Sequence, residues 1–384
     1  MSIKKSYDEI NQKIVDGKAV VLTAEEVTRM AAELSPEEIV KKVDVVTTGT
    51  FGAMCSSGIF INFGHSDPPI KMKRVFMNNV PAYGGLAAVD AYLGATELSE
   101  TDDQYGGAHV IEELIKGKNI HLKAFATGTD CYPRTEIETI INKNNVNEIF
   151  MFNPRNAYQN YNVATNSTSK IKYTYMGNLL PRYGNATFST SGELSPLLND
   201  PEMRTIGIGT RIFIGGTIGY VAWNGTQFNT SKPKNAFGIP TSNAATLATI
   251  GDLKQMSADY IKAAYFEKYG VSIFIGIGIP IPILDADMAR FVSINNSQIE
   301  TTILDYGVHP SKVIGQISYK ELQSGEIKID GKKVRTAPMS SISKARKIAE
   351  VLKKMILNHE FLLTEPVSLF PTNTKLNKLE VRHH

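Results

Sequence analysis

The run "VSIFIGIGIPIPIL", from Val271 to Leu284, constrains the fold more than any other stretch of this chain. It is strongly apolar and rich in isoleucine, yet glycines and prolines interrupt it. A bilayer-spanning helix needs about 20 consecutive apolar residues, so this run is too short to cross a membrane. Gly and Pro also disfavour a helix interior, and the β-branched pattern reads as a strand. A similar texture begins near Lys170. "IGIGTRIFIGGTIGYVAWNGTQF" mixes β-branched residues with Gly and turn signals, as antiparallel strands do. Its "GTRIFIGGTIG" lacks the G-K-[ST] ending of a phosphate loop and no convincing helix follows. It reads as a strand pair whose glycines let backbones approach, and "GIGIP" fails as a dinucleotide fingerprint on the same grounds. A helix from about Ser257 to Tyr269 is expected to lead into the Val271 strand.

The first third of the chain has clearer helix signals. "TAEE" offers Thr23 as N-cap with Glu26 three residues on. "SPEE" offers Ser35 as cap, Pro36 at the first helical position and Glu38 closing the box. "VDVVTTGT" then reads as a strand. Further on, "HLKAFATGTDCYPR" predicts a strand over 122–127 and a turn, "RTEIETIINK" a helix, and "NEIFMF" another strand. That order predicts a βαβ unit with parallel pairing. Near the C-terminus Ile342, Ala345, Ile348, Ala349, Leu352 and Ile356 recur at helical spacing, with lysines and arginines opposite. The expected fold is α/β, a parallel-containing sheet with βαβ units plus a Gly-rich antiparallel β region. Three regions follow: 1–169 carrying both cysteine loops, 170–340 completing the site, and a C-terminal helix and tail over 341–384. One integrated catalytic domain can contain all three.

Composition excludes several classes. Lys and Arg total 41 against 38 Asp and Glu, a net charge of only +3 without long basic runs, so nucleic acid is not an expected partner. "MSIKKSYDEINQ" lacks the apolar core of a secretory signal. The expected location is the cytoplasm, with no membrane association. Two cysteines cannot build a disulfide framework, and a reducing compartment leaves them as thiols. His383 and His384 follow "LEVR" as an expression-tag remnant would, and carry no metal argument.

Both cysteines fall in polar, turn-rich loops: Cys55 in "TTGTFGAMCSSGIFINFGHSDPP" and Cys131 in "FATGTDCYPR". Most cysteines are small buried hydrophobes, but neither of these belongs to an apolar periodic run. Each follows a strand and a Thr-Gly-Thr tripeptide, Thr48-Gly49-Thr50 or Thr127-Gly128-Thr129. Sites in open α/β sheets form at the carboxyl ends of strands, so two such strands in one sheet would bring both thiols to one rim. "NPRNAYQNYN" would join them there and add Arg155. Ser56, Ser57 and Gly58 offer backbone N–H groups beside Cys55, and Arg134 is a local cation for Cys131. His65 and Asp67 in "GHSDPP" fit a general acid and its orienter, or merely a turn. No C-x-x-C or H-E-x-x-H is present. An iron–sulfur cluster at Cys55 and Cys131 would need His65, Asp67, a second subunit or an external ligand to complete it.

The stretches "TTGTFGAMCSSGIFINFGHSDPPIKM", "YGGLAAVDAYLGAT" and "FATGTDCYPR" together resemble the archaeal and bacterial homocysteine-biosynthesis family. Its members are L-aspartate semialdehyde sulfurtransferases of methanogens and other anaerobes, and the resemblance runs to about Pro371. It implies conversion of L-aspartate semialdehyde and sulfide to homocysteine, with Cys55 and Cys131 at the positions of two essential family cysteines. Some members carry C-terminal CBS domains, for which the chain has no room after its last helix, so regulation through them is not implied. A separate ferredoxin-like iron–sulfur protein is implied as electron donor. Making a thiol from an aldehyde and H2S consumes two electrons, which two neighbouring thiols release on closing to a disulfide. Cys55 would then carry sulfur as a thiolate or persulfide and Cys131 would resolve the intermediate. Arg155 and Arg134 are the candidate forks for the substrate carboxylate, with Arg211 an outsider, and Ser56, Ser57 and Asp67 are further substrate contacts. No tightly bound cofactor is expected, an external reductant is required, and a homo-oligomer is allowed. The competing readings are a thiol–disulfide oxidoreductase, disfavoured without C-x-x-C, and a non-enzymatic sulfur or cluster carrier docking a ferredoxin-like partner.

Overall fold

In the computed structural model, which describes residues 3–381, the Val271 run is held on both edges. Its strand Gly270–Gly278 pairs antiparallel with Ile261–Phe266 on one side and Thr50–Ala53 on the other. Pro280–Pro282 continues it into a three-stranded sheet beside Val45–Thr47. Glycine matters here because the C-terminal helix Ile342–Leu357 lies against this strand. A Cβ on Gly278 would stand 2.8 Å from the Thr48 carbonyl oxygen and 3.0 Å from Ile348. The helix buries Ala345, Ile348, Ala349, Leu352 and Ile356, as its spacing predicts. Each large aliphatic among them is worth about 1.5–3 kcal/mol. His383 and His384 lie outside the described residues.

The fold is mixed α/β, with sheets containing parallel and antiparallel strands. Its βαβ unit stands elsewhere than expected. Val21–Thr23 and Val45–Thr47 pair in parallel, joined by helices Ala24–Met30 and Pro36–Lys42. Those helices start at Thr23 and Ser35, where Glu26 and Glu38 accept from the cap N–H groups. The expected βαβ around Cys131 is instead a hairpin. Glu136–Ile141 is a strand antiparallel to Ile120–Phe125, not a helix. Its β-branched residues suit a strand. Glu136 and Glu138 also meet Lys123 and His121 across the ladder, a pairing that a helix would dissolve. The expected helix over 257–269 is likewise strand Ile261–Phe266, in which buried Ile261 and Ala263 alternate with exposed Lys262. The Gly-rich region behaves as read: Arg211–Ile214 and Thr217–Asn224 form a hairpin across Gly215 and Gly216, both at positive φ.

One 13-stranded sheet takes strands from both 1–169 and 170–340. Within it, Gly58–Asn62, Asp90–Gly94, Val80–Tyr83, Arg74–Met77 and Ile120–Phe125 are successive antiparallel neighbours. Four reversals leave the first and last of these strands pointing the same way. Cys55 precedes the first and Cys131 follows the last, so the thiols occupy opposite rims. No helix among the described residues is long and apolar enough to cross a membrane.

Candidate active site

Cys55 sits in the tight turn between Thr50–Ala53 and Gly58–Asn62. Ser57 closes that turn, donating from both its N–H and its hydroxyl to the Met54 carbonyl at 3.1 and 2.7 Å. Ser57 is therefore buried, with its hydroxyl proton committed to the turn. Strand Glu148–Asn156 runs antiparallel to Gly58–Asn62 with Phe152 opposite Gly58, which carries Arg155 to the Cys55 turn. The Ser56 hydroxyl donates to the Arg155 carbonyl at 3.4 Å and links the two segments. The Arg155 Nε donates to Thr226 Oγ1 at 3.0 Å, and among the described residues no carboxylate pairs with its guanidinium.

These residues open onto a cleft of ≈ 290 Å³ lined by four tyrosines together with Ser189, Gln227 and apolar side chains. Tyr158 and Tyr161 follow Arg155, Tyr175 comes from the turn after Lys172–Thr174, and Tyr269 from the turn before Gly270–Gly278. The rings meet edge-to-face or tilted: Tyr158–Tyr161 at 4.9 Å, Tyr161–Tyr175 at 6.2 Å and Tyr175–Tyr269 at 6.1 Å between centroids. Tyr161 donates to Tyr175, which shares a 2.8 Å bond with Tyr306. Tyr269 lies beside the Cys55 sulfur. Burial, followed by that sulfur, pushes its phenol up to about 12. Burial likewise pushes Tyr158 up to about 12 against the pull of Arg155. Burial raises Tyr161 and Tyr306 as well. At neutral pH the walls therefore offer O–H donors and not phenolates. Ser272, 1% exposed, also lines the cleft, and its hydroxyl has no hydrogen-bond partner. A buried unsatisfied hydroxyl costs about 1–3 kcal/mol, which a polar ligand would relieve.

The remaining expected site residues gather elsewhere. Cys131 is exposed at the tip of a hairpin, 3.7 Å from Thr129 Oγ1. His65 stacks on Tyr132 at 6.1 Å. Arg134 spends its guanidinium on the carbonyls of Asp67 and Pro68, at 2.7 and 2.9 Å. Asp67 serves that contact through its backbone. Arg211 is committed to the Leu362 carbonyl near Phe361, away from both thiols. The expectation of one shared rim is thus not met within a chain. The Gly58–Asn62 strand covers roughly 13 Å and four inter-strand steps of about 4.8 Å lie sideways, so the thiols stand on the order of 20 Å or more apart. A disulfide needs Cα atoms within about 7 Å. The same separation prevents one chain from holding a cluster on both sulfurs. Among the described residues no group of three or more His, Cys, Asp or Glu side chains is placed to hold a metal.

Sequence reasoning missed the four cleft tyrosines and Ser272. Tyr158 and Tyr161 left a signal, two aromatics in the polar "NPRNAYQNYN" beside Arg155. Tyr175, Tyr269 and Ser272 left none, because only the sheet brings them to Cys55.

No solved structure matches the chain. The family described as "Homocysteine biosynthesis enzyme, sulfur-incorporation" matches residues 19–363. The chain is 51% identical to the L-aspartate semialdehyde sulfurtransferase of Methanosarcina acetivorans, over 95% of this chain and 72% of the relative. It is also 51% identical to the protein of the same name from Methanocaldococcus jannaschii, over 95% of this chain and 73% of the relative. An uncharacterized protein of Methanothermobacter thermautotrophicus is 27% identical over 85% of this chain. With a match over residues 19–363 and two relatives 51% identical over 95% of its length, the chain belongs to the sulfur-incorporating homocysteine biosynthesis enzymes.

Proposed function

We propose that this chain is an L-aspartate semialdehyde sulfurtransferase whose chemistry takes place at Cys55. The observation that carries the reading is the pairing of a half-buried thiol with an arginine free of carboxylate partners in one cleft. Arg155 suits the substrate carboxylate, since a guanidinium binds a carboxylate through two parallel N–H bonds. That places the aldehyde toward Cys55, Tyr269 and Ser272. Hydrosulfide adds to the aldehyde carbon, and loss of water, assisted by the Tyr269 proton, leaves a thioaldehyde. The Cys55 thiolate then attacks the thioaldehyde sulfur and the carbon takes a proton. The product is a mixed disulfide between homocysteine and Cys55, with no net electrons yet consumed. Two electrons and two protons then release homocysteine and restore the thiol, balancing R-CHO + H2S + 2e⁻ + 2H⁺ → R-CH2-SH + H2O.

In this reading the reductant comes from outside the chain. Cys131, exposed on the far rim, acts as resolving thiol only toward the Cys55 of a second molecule, and a ferredoxin-like protein or a dithiol resets the pair. Purified protein given aspartate semialdehyde, sulfide and a dithiol should make homocysteine catalytically. Formation of none, with the aldehyde intact, would refute the reading. The carrier alternative fails if homocysteine appears.

A further inference from the structure

The charges around the Cys55 cleft bear on which aldehydes it accepts, an inference that rests on the sulfurtransferase reading. Aspartate semialdehyde presents an aldehyde, a carboxylate and an α-ammonium. Among the described residues that line the cleft, Arg155 is the only basic side chain and fits the carboxylate, and none is an Asp or Glu. What remains for the ammonium is neutral: the phenols of Tyr158, Tyr161, Tyr175 and Tyr269, packed edge-to-face or tilted, and the side chains of Ser189, Gln227 and Ser272. Glu267, between Phe266 and Tyr269 in sequence, accepts from the Asn178 amide at 2.9 Å and does not line the cleft. A cation over such rings is attracted by their faces, an interaction that amounts to a factor of about 2–30 in affinity. A carboxylate dedicated to the ammonium would discriminate far more steeply, because the analogue would leave that buried charge unpaired, and among the described residues no Asp or Glu lines the cleft.

We propose that this cleft also converts ω-oxo carboxylates lacking the α-amino group into thiols, 4-oxobutanoate being the direct analogue. The balance is unchanged: the aldehyde oxygen leaves as water, sulfide supplies the sulfur, and a dithiol supplies two electrons and two protons as it closes to its disulfide. The carboxylate stays essential because Arg155 would otherwise face an empty cleft.

The test compares aspartate semialdehyde, 4-oxobutanoate and butanal with the full chain, sulfide and dithiothreitol, quantifying each thiol product by mass spectrometry. The expected result is a kcat/KM for 4-oxobutanoate within about 100-fold of that for aspartate semialdehyde, with butanal well below both. Arg155→Gln should erase the preference for 4-oxobutanoate over butanal. Homocysteine formation with 4-oxobutanoate more than 100-fold poorer would overturn the proposal. A second readout separates this from failure of the sulfurtransferase reading. Iodoacetamide labelling of Cys55 should be slowed by both carboxylated aldehydes at similar concentrations, with Cys131, on the other rim, as internal reference. If no aldehyde is turned over yet both protect Cys55, the reaction is wrong and the selectivity stands. Protection by aspartate semialdehyde alone would refute the selectivity itself.

Discussion

The two cysteine loops share the tripeptide Thr-Gly-Thr, and the fold uses it in opposite ways. Thr48 is fully buried, its hydroxyl donating to the Ile279 carbonyl at 2.6 Å and accepting from the Ile279 N–H. Gly49 is there because the backbone of the C-terminal helix passes over it, where a Cβ would collide with the Ala345 carbonyl. In the second loop Gly128 has φ +73, and Thr129 turns the chain by accepting from the Tyr132 N–H. The first copy fixes a core in front of a cleft, and the second makes an exposed hairpin tip. Cys55 therefore inherits a half-buried place in a cleft and Cys131 inherits solvent. Identical local letters do not imply identical sites when different partners pack on them.

The sharpest way to break this contrast is to exchange each sulfur for oxygen. Cys55→Ser should lower homocysteine formation by at least about 10³-fold, since the nucleophile itself is lost. Cys131→Ser, assayed with excess dithiothreitol, should stay within about 10-fold, because a small dithiol replaces a resolving thiol that acts from outside. Equal losses in both, unrelieved by dithiol, would mean that the two sulfurs meet in one site after all. The glycines give the structural counterpart. Gly49→Ala should cost about 3 kcal/mol or more, because backbone must move to admit the methyl. Gly128→Ala should cost only about 1–2 kcal/mol, the strain of its left-handed φ on an exposed turn. Urea midpoints that rank the pair the other way would contradict the assignment of core and tip.

Much of this architecture was legible before the structure. The Thr23 and Ser35 helix starts, the C-terminal amphipathic helix, the Gly215–Gly216 hairpin and the Val271 strand follow from caps, periodicity and glycine alone. The two misread helices fail for one reason. "EIETII" and "IKAAYF" both carry residues that a helix tolerates, and only cross-strand partners decide between helix and strand. The site was half legible. Polarity around Cys55 and the nearby Arg155 could be seen, whereas the pairing order that sends Cys131, His65, Asp67 and Arg134 to the far rim could not. A sheet's strand order is non-local, and four reversals between Gly58–Asn62 and Ile120–Phe125 leave no mark in either loop.

Smaller effects sharpen the comparison within the cleft. Tyr269→Phe should lower kcat about 10²-fold with KM for the aldehyde nearly unchanged, as expected for loss of a proton donor. Because burial and the neighbouring sulfur push this phenol up to about 12, the wild-type rate should show no loss from Tyr269 ionisation between neutral and mildly alkaline pH. A Tyr269→Phe variant with raised KM and intact kcat would make the phenol a binding group only. Arg155→Gln should raise KM for aspartate semialdehyde about 10–100-fold. Arg134→Gln should change it less than about 3-fold, since that guanidinium already holds the Asp67 and Pro68 carbonyls on the other rim.

The central claim is that sulfur and aldehyde meet on Cys55 before any electron arrives. The most direct measurement incubates the Cys131→Ser chain with aspartate semialdehyde and a few equivalents of sulfide per chain, anaerobically and without reductant. The reaction is then quenched with acid and alkylating agent, and the peptides are mapped by mass spectrometry. The account predicts a homocysteine mixed disulfide on the peptide containing Cys55, approaching one per chain and released as homocysteine by dithiothreitol. Free homocysteine accumulating beyond one per chain under the same conditions, with Cys55 recovered only as an unmodified thiol, would contradict it.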